Sequence, residues 1–266
     1  MASEKKLIIL LPPSEGKAES GKTGTKFTET SGAFGKSLGK QRTSVVAALK
    51  QARGGSPKLL GVSGTHLARA QQANLAVHGA KTLPASQRYT GVVWDHLDLA
   101  SLPLALQKIA AKNIVIVSGL LGLVAAGDPT PDYRLKIGAS LAPMGKLSTW
   151  WRDELSRALN KYCAGAVVIS LLPQEHSAAF VADSKLIKSY LHVDLATKSG
   201  KAGGHDAKAA KGRLARHLLL NRNDPVKALQ VVEYALNQHP YAAVFLIKQA
   251  QLLLFTDQVD KAFAAL

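Results

Sequence analysis

The 266-residue chain has little cysteine, few acidic residues and no long hydrophobic run. Its single cysteine, Cys163, excludes a disulfide within the chain and is expected to be a small core residue. The apolar run at residues 7–11 is much shorter than the about 20 residues of a membrane span, and we expect neither a span nor a secretory signal. No His or Cys spacing matches a metal site, so we predict no structural metal and no bound cofactor.

The scarcity of acidic residues leaves a strongly basic chain. Lys and Arg together number 34 and Asp and Glu 18, which gives a formal net charge of +16. From Arg222 onward there are four charges of each sign, so the whole excess lies in the first 221 residues. Such a field attracts anions, and phosphate polymers most of all. The charge therefore favours nucleic acid or another polyanion as partner, and a basic but merely soluble surface is the alternative.

The distribution of apolar residues predicts alternating strands and helices in residues 1–221. Strands are predicted at residues 6–11, 114–117, 166–172 and 190–195. Helices are predicted at residues 41–53, 63–78, 104–111, 120–126, 145–160 and 205–221, and a long loop at residues 14–39. This order predicts an α/β (α+β) fold, a single compact domain whose central mixed sheet is flanked by helices.

Residues 222–266 differ from the rest of the chain in their charge balance and in their purely helical pattern. Asp224 and Pro225 are typical of a helix start, and helices are predicted at residues 226–238, 242–254 and 258–265. The pattern is tetratricopeptide-like but covers barely one repeat. We expect a helical appendage on the main domain, or the start of a repeat array, and it could bind a protein partner.

Residues 16–23 fit the phosphate-loop pattern G-x-x-x-x-G-K-[ST]. The pattern requires a helix directly after the loop, and the Gly- and Thr-rich residues that follow are poor helix formers. We therefore favour a flexible loop over a nucleoside triphosphate site.

The segment from Ser118 to Arg134 is a stronger candidate for anion binding. A predicted turn from strand to helix contains Gly119 and Gly122, whose backbone amides could approach an anion. Arg134 could hold a phosphate in bidentate fashion, with Asp128 orienting it. The alternative is a glycine-shaped packing turn with a structural Asp–Arg pair.

Two further elements could complete a site. Glu175 and His176 follow a predicted strand end, where α/β proteins usually place a site, although a surface loop is the alternative. On the predicted helix 205–221, Lys208, Lys211 and Arg216 share much of one face. That face could meet an anion or could be a solvated charged surface.

Several of these pieces, in this order, resemble one known family. They are the opening strand with Pro12 and Lys17, G-V-V-W at residues 91–94, S-G-L-L-G at 118–122 with Asp128 and Y-R-L at 133–135, Gly138, W-W at 150–151, Leu171 with Glu175, and A-K-x-x-K-G-x-x-x-R at 207–216. Over roughly residues 6–220 the chain resembles the peroxide stress protein YaaA family of bacteria.

The resemblance implies a cytosolic protein of the oxidative stress response, linked to a lower level of free iron. It also implies duplex DNA binding of low sequence specificity through a positively charged cleft, with a helix–hairpin–helix-like element. We expect the residues that contact DNA or phosphate to be Lys17, Ser118, Gly119, Gly122, Arg134, Lys208, Lys211 and Arg216.

A rival hypothesis is an enzyme that acts on a small phosphorylated or nucleotide-like substrate in the same cleft. Lys17, Ser118, Tyr133, Arg134, Glu175 and Lys208 would then converge on one pocket. Glu175 and Tyr133 are the candidate catalytic residues. The sequence leaves open whether the protein is an enzyme.

Overall fold

A computed structural model describes residues 7–19, 21–196, 204–222 and 244–247. Its strands are β1 (Leu7–Leu11), β2 (Lys22–Lys26), β3 (Lys81–Pro84), β4 (Ile114–Ser118), β5 (Gly122–Ala125), β6 (Pro129–Thr130), β7 (Ser140–Leu141), β8 (Gly145–Lys146), β9 (Val167–Ser170), β10 (Ser189–Ala196) and β11 (Val244–Ile247). Its helices are α1 (Gly35–Gln51), α2 (Pro57–Leu60), α3 (Gly64–Leu75), α4 (Ala85–Arg88), α5 (Val92–Leu97), α6 (Leu104–Asn113), α7 (Leu147–Trp150), α8 (Arg152–Tyr162), α9 (Gln174–Ser177) and α10 (His205–Leu220).

The central sheet confirms the predicted α/β class. Within the described ranges its strands follow the order β11, β10, β9, β1, β4, β5. Strands β10, β9, β1 and β4 are parallel, and β5 and β11 pair antiparallel at the two edges. Every residue of β1, β4 and β9 is buried, because helices and loops cover both faces of a parallel sheet. The continuous apolar runs that predicted these strands have this origin.

The turn after β4 differs from the prediction. Residues 120–126 were predicted as a helix, but β5 returns antiparallel along β4, with Ser118 opposite Gly122. Gly122 has a φ of +68°, a left-handed conformation that glycine adopts without strain. A three-residue hairpin loop with glycine in this conformation reverses the chain, so the helix prediction is wrong. Gly119 and Gly122 therefore do not lie at a helix N-terminus.

Three other predictions need correction. The predicted loop at residues 14–39 contains β2 and the start of α1, and the predicted helix at 145–160 is divided into β8, α7 and α8. Strand β2 also occupies the position where a phosphate loop would begin its helix, in agreement with our rejection of that motif. Val244–Ile247 pairs with β10 instead of forming part of the predicted helix 242–254, since an exposed edge of the sheet accepts an apolar strand there.

The remaining helices predicted after residue 222 lie outside the described residues. The division at residue 221 and the tetratricopeptide-like appendage therefore stay predictions. Within the described ranges, every helix is too short or too polar to cross a lipid bilayer.

Candidate functional site

The loops that follow β1, β4 and β9 lie at one edge of the central sheet, because these strands are parallel. The chain proceeds from β1 to β4 on one side and later to β9 on the other, so the strand order reverses next to β1. Ligands of open α/β sheets bind at such a reversal, outside the carboxyl ends of the strands. The loop after β1 carries Lys17, β4 ends in Ser118, and the loop after β9 carries Glu175.

The loop after β1 is fixed to the segment that precedes α5. Lys17 forms an antiparallel bridge with Tyr89, and the Ala18 amide donates to the Arg88 carbonyl at 2.9 Å. The Thr90 amide donates to Ser14 Oγ at 2.9 Å. These bonds hold the backbone of Lys17 so that its side chain points inward.

Lys17 is buried beside two tyrosine rings. Lys17 is only 9% exposed. Its Nζ lies 4.3 Å from the ring centroid of Tyr133 and 5.5 Å from that of Tyr89. Nζ donates one hydrogen bond, to the Ser14 carbonyl at 2.9 Å. Loss of hydration lowers the pKa of Lys17 to about 7, although Asp132 opposes the shift. The amine is therefore divided between its charged and neutral forms near pH 7.

Three buried hydroxyl groups form a chain next to this amine. The Tyr133 hydroxyl lies 2.7 Å from the Tyr89 hydroxyl and 2.7 Å from Ser118 Oγ. Ser118 Oγ also accepts the Leu121 amide at 3.1 Å. Burial raises the pKa of Tyr133 to about 12, so its hydroxyl stays protonated. We call Lys17, Tyr89, Ser118 and Tyr133 the lysine cluster.

Arg134 and Lys136 hold a carboxylate at the border of the lysine cluster. Glu15 pairs with Arg134 Nη2 at 2.5 Å and with Lys136 Nζ at 2.7 Å. Partial burial alone would raise the pKa of Glu15, but Lys136 and Arg134 together lower it below its usual value. Arg134 also donates to the Leu60 carbonyl at 3.0 Å. Arg134, which was predicted to bind phosphate, is thus paired with a carboxylate of the protein itself.

Asp128 does not orient Arg134, contrary to the proposed pairing. Its carboxylate accepts the amides of Ala33 and Ala125 at 3.0 and 2.9 Å. Burial raises the pKa of Asp128, although the two amides and the charge of Arg42 oppose the shift. Asp128 therefore connects the start of α1 to the end of β5.

The two glycines of the β4–β5 turn are closely packed. A Cβ on Gly119 would lie 2.7 Å from the Leu135 carbonyl oxygen, and one on Gly122 would lie 2.9 Å from both Trp151 and Leu155. The structure thus gives these glycines the packing role that was our alternative interpretation. The predicted contact of their amides with phosphate stays a prediction.

A second group of residues includes Gly138, His176 and Glu175. This exposed residue lies against Gly138, where a Cβ would be 2.5 Å from a Glu175 carboxylate oxygen. Burial lowers the pKa of neighbouring His176 to about 4, and the charge of Lys211 lowers it further in the same direction. The segment 133–138 thus touches both groups, through Tyr133 and Arg134 at one end and Gly138 at the other.

The predicted basic face of α10 is mostly turned toward the protein. Lys211 is only 8% exposed, and Arg216 Nη1 donates to the Leu97 and Asp98 carbonyls at 3.1 and 2.6 Å. Gly212 allows α10 to approach α5, since a Cβ there would lie 2.3 Å from the Val93 carbonyl oxygen. Of Lys208, Lys211 and Arg216, only Lys208 is exposed.

The sequence did not identify the hairpin between α2 and α3, which we define as residues 61–64. Gly61 and Gly64 have φ angles of +64° and +55°, and both are exposed. Ser63, the residue before α3, makes no capping bond with its side chain. The first amides of a helix have no partner within it, so the start of α3 presents donors to solvent. The exposed Lys58 precedes the hairpin, and Lys136 Nζ lies 3.5 Å from an ideal Cβ on Gly61.

Sequence reasoning also missed Tyr89 in the lysine cluster and Glu15 at its border. Tyr89 meets Tyr133 across 44 residues of chain, and Glu15 meets Arg134 across 119. A single sequence carries no signal that pairs residues at such separations. Among the described residues, no group of three or more His, Cys, Asp or Glu could hold a metal ion.

Comparison with known proteins identifies the family. The family model described as "Peroxide stress protein YaaA" matches residues 7–239. The chain belongs to the YaaA family. It is 33% identical to a UPF0246 protein of Streptomyces coelicolor over 233 residues, which are 85% of this chain and 88% of that protein. It is 32% identical to a UPF0246 protein of Corynebacterium glutamicum over 235 residues, 86% and 91% of the two chains. The match to the YaaA family extends past residue 221, farther than the motifs used to recognise it.

Proposed function

We propose that this YaaA family member is a cytoplasmic stress protein that binds duplex DNA with low sequence specificity. The observation that carries the proposal is the exposed hairpin 61–64, which joins a short helix to the first turn of α3, whose N-cap residue makes no side-chain capping bond. Helix N-termini bind phosphate because their free amides and the helix dipole both favour an anion. The exposed Lys58 adds positive charge in the preceding helix, and Lys136, which is paired with Glu15, lies beside Gly61.

The net charge of +16 supports the same partner. It attracts duplex DNA from any direction, while the hairpin supplies a place where a phosphate can be held. Contacts of this kind position the backbone and do not read the bases, which accounts for the low sequence specificity. The proposal also includes a link to lower free iron, which is supported only by the resemblance to the YaaA family.

Salt dependence of DNA affinity tests the proposal. With about four to six phosphate contacts, the logarithm of the affinity should fall against the logarithm of salt with a slope of about −4 to −5. Fluorescence anisotropy with a labelled duplex at several salt concentrations measures this slope. An affinity that is unchanged between low and moderate salt would contradict electrostatic DNA binding.

The second candidate function is an enzyme for a small phosphorylated or nucleotide-like substrate. The lysine cluster favours it, because a buried amine is a poor contact for an extended polymer and a good one for a small molecule. Glu15 holds Arg134 and Lys136 at its border, and both cations could bind the phosphate of such a substrate.

A further inference from the structure

The placement of Lys17 is unusual for a lysine that only supports the fold. Lysine is rarely fully buried without an acidic partner. In the part of the chain that the structure describes, no carboxylate lies within ion-pair distance of Lys17 Nζ, and its one hydrogen bond goes to the Ser14 carbonyl. The rings of Tyr89 and Tyr133 surround the amine instead. Burial favours the neutral, nucleophilic form of the amine, although the ring faces attract its charged form.

The border of the lysine cluster shows what kind of molecule fits. Glu15 lies two residues before Lys17, and its carboxylate occupies the position between Arg134 and Lys136. Glu15 is half exposed at its side chain, so an incoming anion can replace it from solvent.

We propose that Lys17 forms an imine with a small phosphorylated aldehyde or ketone, whose phosphate replaces Glu15 between Arg134 and Lys136. This inference rests on the second candidate function, an enzyme for small phosphorylated substrates. The Lys17 nitrogen attacks the carbonyl carbon, and the carbonyl π electrons move to oxygen. Nitrogen then gives up both of its hydrogens, the carbonyl oxygen leaves as water, and a C=N bond remains.

The buried hydroxyl chain supplies a proton donor for the loss of water. Three hydroxyls carry three protons, and the two bonds among Ser118, Tyr133 and Tyr89 use two of them. The remaining proton belongs to one end of the chain and finds no acceptor among the described residues. It is therefore free to be directed toward a bound oxygen.

Reductive trapping tests the imine directly. The protein is incubated at pH 7 with D-glyceraldehyde 3-phosphate and sodium cyanoborohydride, and every modified lysine is located by peptide mass spectrometry. With its pKa near 7, Lys17 has a neutral fraction on the order of a thousandfold above that of an ordinary lysine. We expect Lys17 to be labelled first, and the selectivity to disappear at pH 10. Lys211, 8% exposed, is the matched buried lysine in the same sample.

Two variants sharpen the result. Lys17→Arg should lose the label while other lysines react as before. Arg134→Gln should slow labelling by the phosphorylated aldehyde about tenfold more than it slows labelling by uncharged glyceraldehyde, because only the former uses the phosphate position, while the effect of Arg134 on the pKa of Lys17 is common to both. Labelling spread over exposed lysines with Lys17 unmodified would overturn the proposal.

Glycerol 3-phosphate separates this proposal from the function on which it rests. It carries the phosphate and lacks the carbonyl. If it raises the melting temperature of the protein and Lys17 still takes no label, the small-phosphate site stands and the imine is wrong. If it does not raise the melting temperature and Lys17 takes no label, both fail.

Discussion

The amine of Lys17 lies 4.3 Å from the ring centroid of Tyr133, and both side chains are buried. The ring face attracts a cation, whereas the loss of hydration lowers the pKa of Lys17 to about 7. A buried lysine in this state destabilises the folded protein. Strongly shifted groups of this kind are concentrated at functional sites.

Replacing the amine should therefore stabilise the protein. Lys17→Met keeps an apolar chain of similar length and is expected to raise the free energy of unfolding at pH 7 by a few kcal/mol, at about 1.4 kcal/mol per unit of pKa shift. The unfolded chain, with a lysine pKa of about 10.5, binds more protons than the folded chain between pH 7 and 10.5. The wild type should thus gain stability as pH rises through this range, and the variant should not gain it.

Urea unfolding of both proteins at pH 7 and pH 9 measures the difference. The advantage of Lys17→Met should shrink at the higher pH. Parallel pH profiles would show that the pKa of Lys17 is not lowered in the folded protein.

The hydroxyl chain predicts unequal effects for two similar variants. Tyr133→Phe removes the middle hydroxyl and leaves the buried Tyr89 hydroxyl without its partner, which should cost about 1–3 kcal/mol. Tyr89→Phe removes the hydroxyl at one end of the hydrogen-bonded row and leaves the bond between Tyr133 and Ser118 intact, so its cost should be smaller. Chemical denaturation compares the two, and a larger loss for Tyr89→Phe would contradict the order of the chain.

The sequence predicted the central strands well, because burial on both faces leaves a continuous apolar run such as Ile114–Ser118. The same reasoning failed for residues 120–126. A short apolar run does not distinguish a buried strand from a buried helix. The hairpin conformation of Gly122, which decides between them, depends on its packing against Trp151 and Leu155.

The sequence predicted several of the residues that form the candidate site but not their burial. Motifs pointed to Lys17, Ser118, Tyr133 and Arg134, and the structure brings these four residues to one edge of the sheet. Burial of a charged residue is not visible in its own sequence neighbourhood, so Lys17 was expected to be an open phosphate contact. The hairpin 61–64 was passed over because its proposed phosphate contacts are backbone amides, which carry no side-chain signature in the sequence.

The structure separates the two lysines of α10. Lys208 is exposed and Lys211 is buried, so only Lys208 can meet DNA without a rearrangement. Lys208→Ala is expected to weaken duplex binding several-fold and to make the salt slope shallower by about one unit. The matched control is Lys36→Ala, which removes one exposed lysine from α1. Equal losses in anisotropy titrations would indicate diffuse attraction and would contradict a DNA contact at α10.

The hairpin 61–64 carries the proposed function, and a single substitution there tests it most directly. Ser63→Asp places a carboxylate at the N-cap of α3, where aspartate stabilises a helix, so the fold should be kept or improved. The same carboxylate occupies the place proposed for a DNA phosphate. Ser44→Asp is the control, since it adds one negative charge at an exposed position of α1.

The decisive measurement is the affinity of both variants for a labelled duplex at two salt concentrations. We predict that Ser63→Asp binds about tenfold more weakly than the wild type at low salt, with a shallower salt slope, and that Ser44→Asp stays within about twofold. Equal affinities for the two variants, with circular dichroism confirming that both are folded, would contradict DNA binding through the hairpin.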